Sequence, residues 1–179
     1  PGSVGGAVYM NAGAYGGEIG DSVVVVNHID YDGNRGSWSP KQAGFSYRHS
    51  NYMDSDLIVT SVVVQLDKAN PEAIQMKMQN FMERRRTKQP LEYGSAGSTF
   101  KRPEGYYAGA LIEQSGLKGK QIGGAQVSEK HAGFVINKDN ATAKDVLDLM
   151  AFIRETVQRE HGVTLEPEVR ILGDAPWNS

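Results

Sequence analysis

The sequence predicts an α+β fold with a β-rich first part and a second part in which helices alternate with short strands. Two observations carry that reading. β-branched runs stand at Val23-Val24-Val25-Val26, leading into Ile29, and from Leu57 to Leu66, residue types that suit a pleated, half-buried surface. From Asn70 onward the pattern changes to capped helical segments separated by short apolar stretches. With 179 residues, 39% of them hydrophobic and 22% charged, the chain can bury a sizeable core as one large domain or two small ones. The change of character between Lys68 and Asn70 places the boundary there, giving a part at 1–68, a part at 69–173 and a tail at 174–179 that is expected to fray.

In chain order, the first element is a glycine-rich stretch, Pro1-Gly2-Ser3-Val4-Gly5-Gly6-Ala7-Val8-Tyr9-Met10-Asn11-Ala12-Gly13-Ala14-Tyr15-Gly16-Gly17-Glu18. Glycine at such density reads as a loop, and its open backbone makes it a candidate cradle for an anion or a cofactor. It lacks the Lys-Ser/Thr ending of a phosphate loop and the strand-then-helix context of a dinucleotide fingerprint. A loop of this kind follows other structure, so a further N-terminal portion is expected to precede it in the native protein. The strand from Val23 ends at Asp32-Gly33-Asn34, a turn. Asn70-Pro71-Glu72 supplies an N-cap, a proline at the first helical position and an acidic first turn, opening a helix to about Arg86. The run Glu83-Arg84-Arg85-Arg86-Thr87-Lys88 reads as its solvated end, with cations favoured by the helix dipole.

Ala108 to Gln114 reads as a shorter helix stopped by Gly116. The longest helix begins at Thr142, whose hydroxyl and the Asp145 carboxylate form a capping box. Val146, Leu149, Met150, Ile153 and Val157 recur at helical spacing as a core-facing stripe. Gly162 closes that helix, and Val163 to Leu172 reads as an edge or kinked strand interrupted by Pro167.

Composition excludes several function classes. A net charge of −2 argues against nucleic-acid binding through bulk phosphate neutralisation, and no apolar run approaches membrane-spanning length. There is no cysteine, hence no thiol nucleophile, disulfide framework or iron–sulfur cluster, which permits a cytosolic location. His28, His49, His131 and His161 are too scattered for metal-ligand spacing, so no metal is expected.

Three glycine-punctuated segments carry polar residues suited to chemistry: the opening stretch, Ser46-Tyr47-Arg48-His49-Ser50, and Gly94-Ser95-Ala96-Gly97-Ser98-Thr99-Phe100-Lys101-Arg102-Pro103. Each alone reads equally well as a plain turn. In this order, however, and with Gln121-Ile122-Gly123-Gly124-Ala125-Gln126-Val127 and Leu165-Glu166-Pro167-Glu168-Val169-Arg170, they make the chain resemble the UDP-N-acetylenolpyruvoylglucosamine reductase (MurB) family over nearly its full length. The compact stretch between Arg48 and Ser98 resembles the shorter family type, without the extra substrate-covering insertion.

The resemblance implies the C-terminal part of a vanillyl-alcohol-oxidase-like (PCMH-type) FAD-binding domain at 1–68, followed by the family's C-terminal α+β substrate-binding domain at 69–173. It implies a cytoplasmic enzyme of peptidoglycan precursor synthesis that reduces UDP-N-acetylglucosamine enolpyruvate to UDP-N-acetylmuramate, with NADPH reducing a bound FAD. Ser98 matches the family's proton donor, and Arg48 and Glu168 its other two catalytic positions. The chemistry asks for such a trio: hydride at C3 of the enolpyruvyl group pushes charge into the adjoining carboxylate, and C2 then needs a proton. Arg48 can hold the oxyanion with a guanidinium fork, Ser98 can donate the proton once charge is stabilised nearby, and Glu168 serves best as a protonated hydrogen-bond donor.

Cofactor contacts are implied for Pro1, Gly2, Ser3, Gly5, Gly6, Asn11, Gly13, Ala14 and Tyr15, whose backbone N–H groups suit a flavin's polar edge and phosphates. Substrate contacts are implied for Lys101, Arg102, Tyr107 and Gln126, with Tyr106 and Gln114 in matching segments; the family often has Asn where this chain has Arg102. The family's preceding half-domain, with a further glycine-rich flavin segment, has no counterpart here. The chain alone is therefore expected to be inactive and to hold FAD weakly. The alternative is a non-catalytic sugar-nucleotide-binding module, against which stands the retained trio of Arg48, Ser98 and Glu168.

Overall fold

The computed structural model describes residues 2–173, so the expectations for Pro1 and for the tail 174–179 lie outside the described residues. The chain separates into two compact units, Pro1–Lys77 and Met78–Ser179.

The opening stretch is not a loop throughout. Val4–Tyr9 forms a helix, α1, capped by the Ser3 hydroxyl, which accepts a hydrogen bond from Gly6 N at 3.0 Å. Two glycines inside a helix cost roughly 1 kcal/mol each relative to alanine, which is why propensity predicts a loop. Burial of Ala7 and Val8 overrides that cost. Next come a two-stranded hairpin of β1 (Gly13–Ala14) and β2 (Gly17–Glu18) and a 3₁₀ turn at Ile19–Asp21. Tyr15 and Gly16 both take positive φ, +55° and +84°, the backbone that a tight two-residue hairpin turn requires.

β3 (Val23–Ile29), β4 (Arg35–Trp38) and β5 (Ile58–Val64) form an antiparallel sheet in the order β4-β3-β5. Val26, fully buried, sits opposite Trp38 on one side and Val62 on the other. Between β4 and β5 lie the short helix α2 (Pro40–Ala43) and a 3₁₀ turn at Asn51–Asp54. The small core joins Val8, Val23, Val26, Ala43 and Tyr52. Tyr52 is buried, which pushes its phenol up to about 12, and its hydroxyl lies 2.8 Å from His28 Nδ1. His28 is thus a core residue, stacked edge-on against Trp38.

α3 runs over Pro71–Lys88, past the expected end near Arg86, and its first turn is capped by the Asn70 side-chain oxygen, which accepts from Glu72 N and Ala73 N. It buries none of its residues, and the division between the two units falls inside it.

The second unit is built on an antiparallel sheet in the order β6-β9-β8-β7, from β6 (Gly94–Ser95), β7 (Gln121–Ile122), β8 (Ala125–Val127) and β9 (Val135–Asn137). Two helices complete it, α4 (Ala108–Gln114) and α5 (Ala143–His161). The capping box of α5 is present in both directions: Asp145 N donates to the Thr142 hydroxyl at 3.1 Å and Thr142 N to the Asp145 carboxylate at 2.9 Å. Donation from Thr142 N, and from Gly124 N at 3.2 Å, holds the Asp145 carboxyl below its ordinary range. Leu149, Met150, Ile153 and Val157 are buried as the periodicity predicts, and pack with Leu111, Ile112, Ala125, Val127 and Leu165.

The segment Val163 to Leu172 corrects the expectation of a strand. Its sheet-like pairing is a single bridge, Pro167 opposite Phe100, flanked by Lys101 N→Glu166 O at 2.8 Å and Glu168 N→Thr99 O at 2.9 Å. Proline has no N–H to continue a ladder, so the segment crosses its neighbour at one point instead of extending the sheet.

Candidate functional site

In the second unit the site is built on one turn and the segment beside it. Gly97 takes φ +86°, the left-handed conformation that a side chain resists, and swings the chain from β6 to Ser98. Directly after Ser98 the backbone is pinned. Thr99 N donates to Gly133 O at 2.9 Å, and the Thr99 hydroxyl accepts from Val135 N at 3.0 Å. Thr99 and Phe100 are both 3% exposed, whereas Ser98 is exposed. The serine hydroxyl thus faces outward from a turn whose base is locked in the core. The bond from Glu168 N to Thr99 O sets Glu168, half-buried, on the backbone adjoining the serine turn. Ser98 and Glu168, seventy positions apart in sequence numbering, are brought together by the Phe100–Pro167 bridge.

Cationic and aromatic groups continue from that turn. Lys101 Nζ pairs with Glu166 at 3.3 Å, both side chains well exposed, so the pair is worth under about 1 kcal/mol and is readily exchanged for another anion. The Arg102 guanidinium lies 4.1 Å over the Tyr107 ring and Nε donates to Tyr106 O at 3.3 Å. Lys101, Arg102 and Tyr107 therefore share the neighbourhood of the serine turn. Gln126 sits on β8, two strands from β6 and in register with Ser95 through Ile136, and its amide donates to Gly119 O at 3.3 Å. Gln114 lies at the end of α4.

A supporting loop escapes sequence reasoning. His131 Nδ1 accepts from Gly133 N at 3.0 Å, and Gly133 O is the acceptor that holds Thr99. Partial burial pushes His131 below the ordinary imidazole range, which favours the neutral ring that such an acceptor requires. A Cβ added to Gly109 would stand 3.2 Å from His131 Cε1 and 3.3 Å from Gly133 N, so the start of α4 packs tightly on the same loop. No spacing signal in the sequence connects residues 109, 131 and 133 to Ser98.

In the first unit, Ser46 and His49 exchange both backbone hydrogen bonds, each 3.1 Å, and enclose Tyr47-Arg48 as a two-residue turn. Arg48 holds φ +55°, its guanidinium Nη1 donates to Gly13 O at 3.3 Å and its Cζ lies 5.2 Å from the Tyr47 ring centre. Of the residues implied for the cofactor, Gly2, Ser3, Gly6, Ala14 and Tyr15 are exposed and Gly5 and Gly13 half-buried, while Asn11 is 1% exposed. A Cβ at Gly13 would meet Glu18 Cγ at 2.7 Å, so that glycine is required by the hairpin itself. Among the described residues no cluster of His, Asp and Glu can hold a metal, and no helix is long and apolar enough to cross a membrane.

Residues 89–172 match the family model of the UDP-N-acetylenolpyruvoylglucosamine reductase C-terminal domain. The chain is 52% identical over 174 residues to the UDP-N-acetylenolpyruvoylglucosamine reductase of Syntrophomonas wolfei, covering 97% of this chain and 58% of the relative. It is 50% identical over 178 residues to that of Clostridium novyi, covering 99% and 58%. The crystal structure of UDP-N-acetylenolpyruvylglucosamine reductase (MurB) from Thermus caldophilus superposes with a TM-score of 0.79 at 40% identity, covering 92% of this chain and 59% of that one. The chain thus spans a little over half the length of these proteins, and its residues 89–172 are a C-terminal domain of the UDP-N-acetylenolpyruvoylglucosamine reductase family.

Proposed function

We propose that the chain contributes the proton-donating and substrate-binding part of an NADPH- and FAD-dependent reductase. Its substrate is UDP-N-acetylglucosamine enolpyruvate and its product UDP-N-acetylmuramate, a peptidoglycan precursor. The observation that carries this reading is the outward-facing Ser98 on a turn locked by Thr99, with Glu168 on the adjoining backbone. A binding module has no need of an exposed serine with a glutamate on the adjoining backbone.

The first unit has residues that fit a flavin. Gly2, Gly16 and Gly17 have nothing within 4 Å of where a Cβ would stand, so a polar cofactor edge can meet the backbone there without side chains intervening. Gly2, Ser3, Gly5, Gly6, Gly13, Ala14 and Tyr15 are the residues that would hold it, together with Pro1. A bound flavin, reduced by NADPH, supplies the hydride for C3 of the enolpyruvyl group. Arg48 then holds the substrate carboxylate as charge builds on it, a task for a planar fork that stays cationic. Ser98 gives its proton to C2. Glu168 orients the reacting group by donating a hydrogen bond to it, while Lys101 exchanges Glu166 for the diphosphate and Arg102, stacked on Tyr107, adds a second cation.

The test is Ser98→Ala in a polypeptide of the relatives' length. Reduction of the flavin by NADPH should be unchanged, and its reoxidation by the enolpyruvyl substrate should slow by about 10²- to 10⁴-fold, the usual contribution of a general acid. Stopped-flow traces with unaltered reoxidation would remove Ser98 as the donor.

A further inference from the structure

Asn11 stands out in the first unit as a polar residue only 1% exposed, with its backbone in the left-handed region at φ +46°. Its side chain is fully engaged inside the protein. Nδ2 donates to Glu18 Oε2 at 2.6 Å and to Ser46 O at 2.9 Å, and Oδ1 accepts from Gly20 N at 3.1 Å. Both amide hydrogens are thereby used, and none is left to meet a ligand.

One of these bonds, from Nδ2 to Ser46 O, holds the Arg48 turn, and the other two fix Glu18 and Gly20. Ser46 is the residue that pairs with His49 to close Tyr47-Arg48, so Asn11 grips the base of the turn. Two residues further on, Gly13 O accepts from the Arg48 guanidinium itself. Two residues earlier, Tyr9 O accepts from the buried Ser50 hydroxyl at 2.7 Å, just beyond the turn. The segment from Tyr9 to Gly13 therefore holds residues 46–50 before the turn, at its arginine and after it. Such a clamp has something to oppose, because an arginine at φ +55° lies in a conformation that costs an ordinary side chain roughly 1 kcal/mol or more and that persists only where the surroundings enforce it. Asn11 can itself adopt the left-handed backbone at little cost, which is what its place at the end of α1 demands.

We propose that Asn11 is a positioning residue for Arg48, acting through Ser46 O, and that its side chain serves this turn in place of the flavin. The inference rests on the assignment of Arg48 to the substrate carboxylate. It predicts a loss confined to the step in which the substrate reacts, since a misplaced guanidinium leaves the flavin and its reduction untouched.

The experiment uses a polypeptide of the relatives' length, with bound flavin read from its absorbance. Asn11→Gly keeps the left-handed backbone accessible and removes the amide; Asn11→Asp keeps the size and removes the two donors. Both should retain flavin and normal reduction by NADPH, and reoxidise with the enolpyruvyl substrate about 10- to 100-fold more slowly, as misplacement by an ångström would cause. Combined with Arg48→Ala, Asn11→Gly should add no further loss, because it acts through the group already removed.

Four results would overturn the inference: loss of flavin or of folding in both Asn11 variants, equal slowing of the two half-reactions, fully additive losses in the double variant, or unchanged reoxidation in both Asn11 variants while Arg48→Ala is impaired. Unchanged reoxidation in Arg48→Ala itself would remove the Arg48 assignment and this inference with it, so the two failures are distinguishable.

Discussion

The two units differ in how far their own residues satisfy them. In the second unit, α5 lays four buried apolar side chains onto a core that also takes residues from α4, β8, β9 and Leu165, and the start of α5 is capped by Thr142 and Asp145. The first unit gathers a far smaller core from Val8, Val23, Val26, Ala43 and Tyr52. Its second main strand turns Ile58, Val63 and Val64 outward at 44–50% exposure, and Leu66 follows at 70%. The part of α3 within this unit adds Ile74 and Met76, both exposed. Exposed apolar residues are concentrated along β5 and the start of α3. One unit thus buries most of its apolar side chains in one core, while the other leaves several in contact with solvent.

The largest test of that contrast is separation. Residues 69–173 expressed alone should melt in one cooperative transition and remain monomeric, whereas residues 1–77 alone should self-associate or fail to show protected amides. Hydrogen exchange and sedimentation distinguish the outcomes, and a monomeric, protected 1–77 would erase the difference between the units.

A second test compares single side chains. Ile153→Ala removes a fully buried residue of α5 and should cost about 2–5 kcal/mol by denaturant unfolding. Val63→Thr on the exposed edge of β5 should stay within about 0.5 kcal/mol while reducing self-association. Comparable losses at both positions would show the first unit to be as tightly packed there as the second.

The smallest effect is a pH dependence placed in the second unit. His131 is held below the ordinary imidazole value of 6.5, chiefly by burial. The unfolded chain therefore binds the proton first, and stability should fall as pH drops below about 6.5 toward the lower folded value. His131→Asn, whose side-chain oxygen can accept from Gly133 N without titrating, should flatten that slope. An unchanged slope between pH 7 and 5 would mean that His131 does not contribute to it.

The site shows a similar division of what could be foreseen. Ser98 was legible as a polar residue in a turn-like segment and Glu168 only through the family motif, in a segment read as a strand; nothing local joins them, and the link is one bridge at Pro167. Gln126 lay in a matching segment, and only the sheet register shows it two strands from Ser95, across Ile136. Arg48 was legible as a candidate, while the left-handed backbone that presents it and the buried amide of Asn11 beneath it were not, because both depend on contacts made thirty-five positions away in the numbering.

What the sequence alone determined here is everything set by near neighbours in the chain. The capping box at Thr142, the Asn70-Pro71 start of α3, the helical stripe from Val146 to Val157 and the stop at Gly162 all depend on residues within a few positions of one another, and local hydrogen bonds and periodicity suffice to read them. Tertiary structure decided the rest. It made a helix of Val4–Tyr9 against the low propensity of its glycines, because burying Ala7 and Val8 outweighs the backbone entropy. It placed Glu168 beside Ser98 through Thr99 O, and Arg48 on Gly13 O, since such contacts depend on where distant segments meet, which no window of neighbouring residues records.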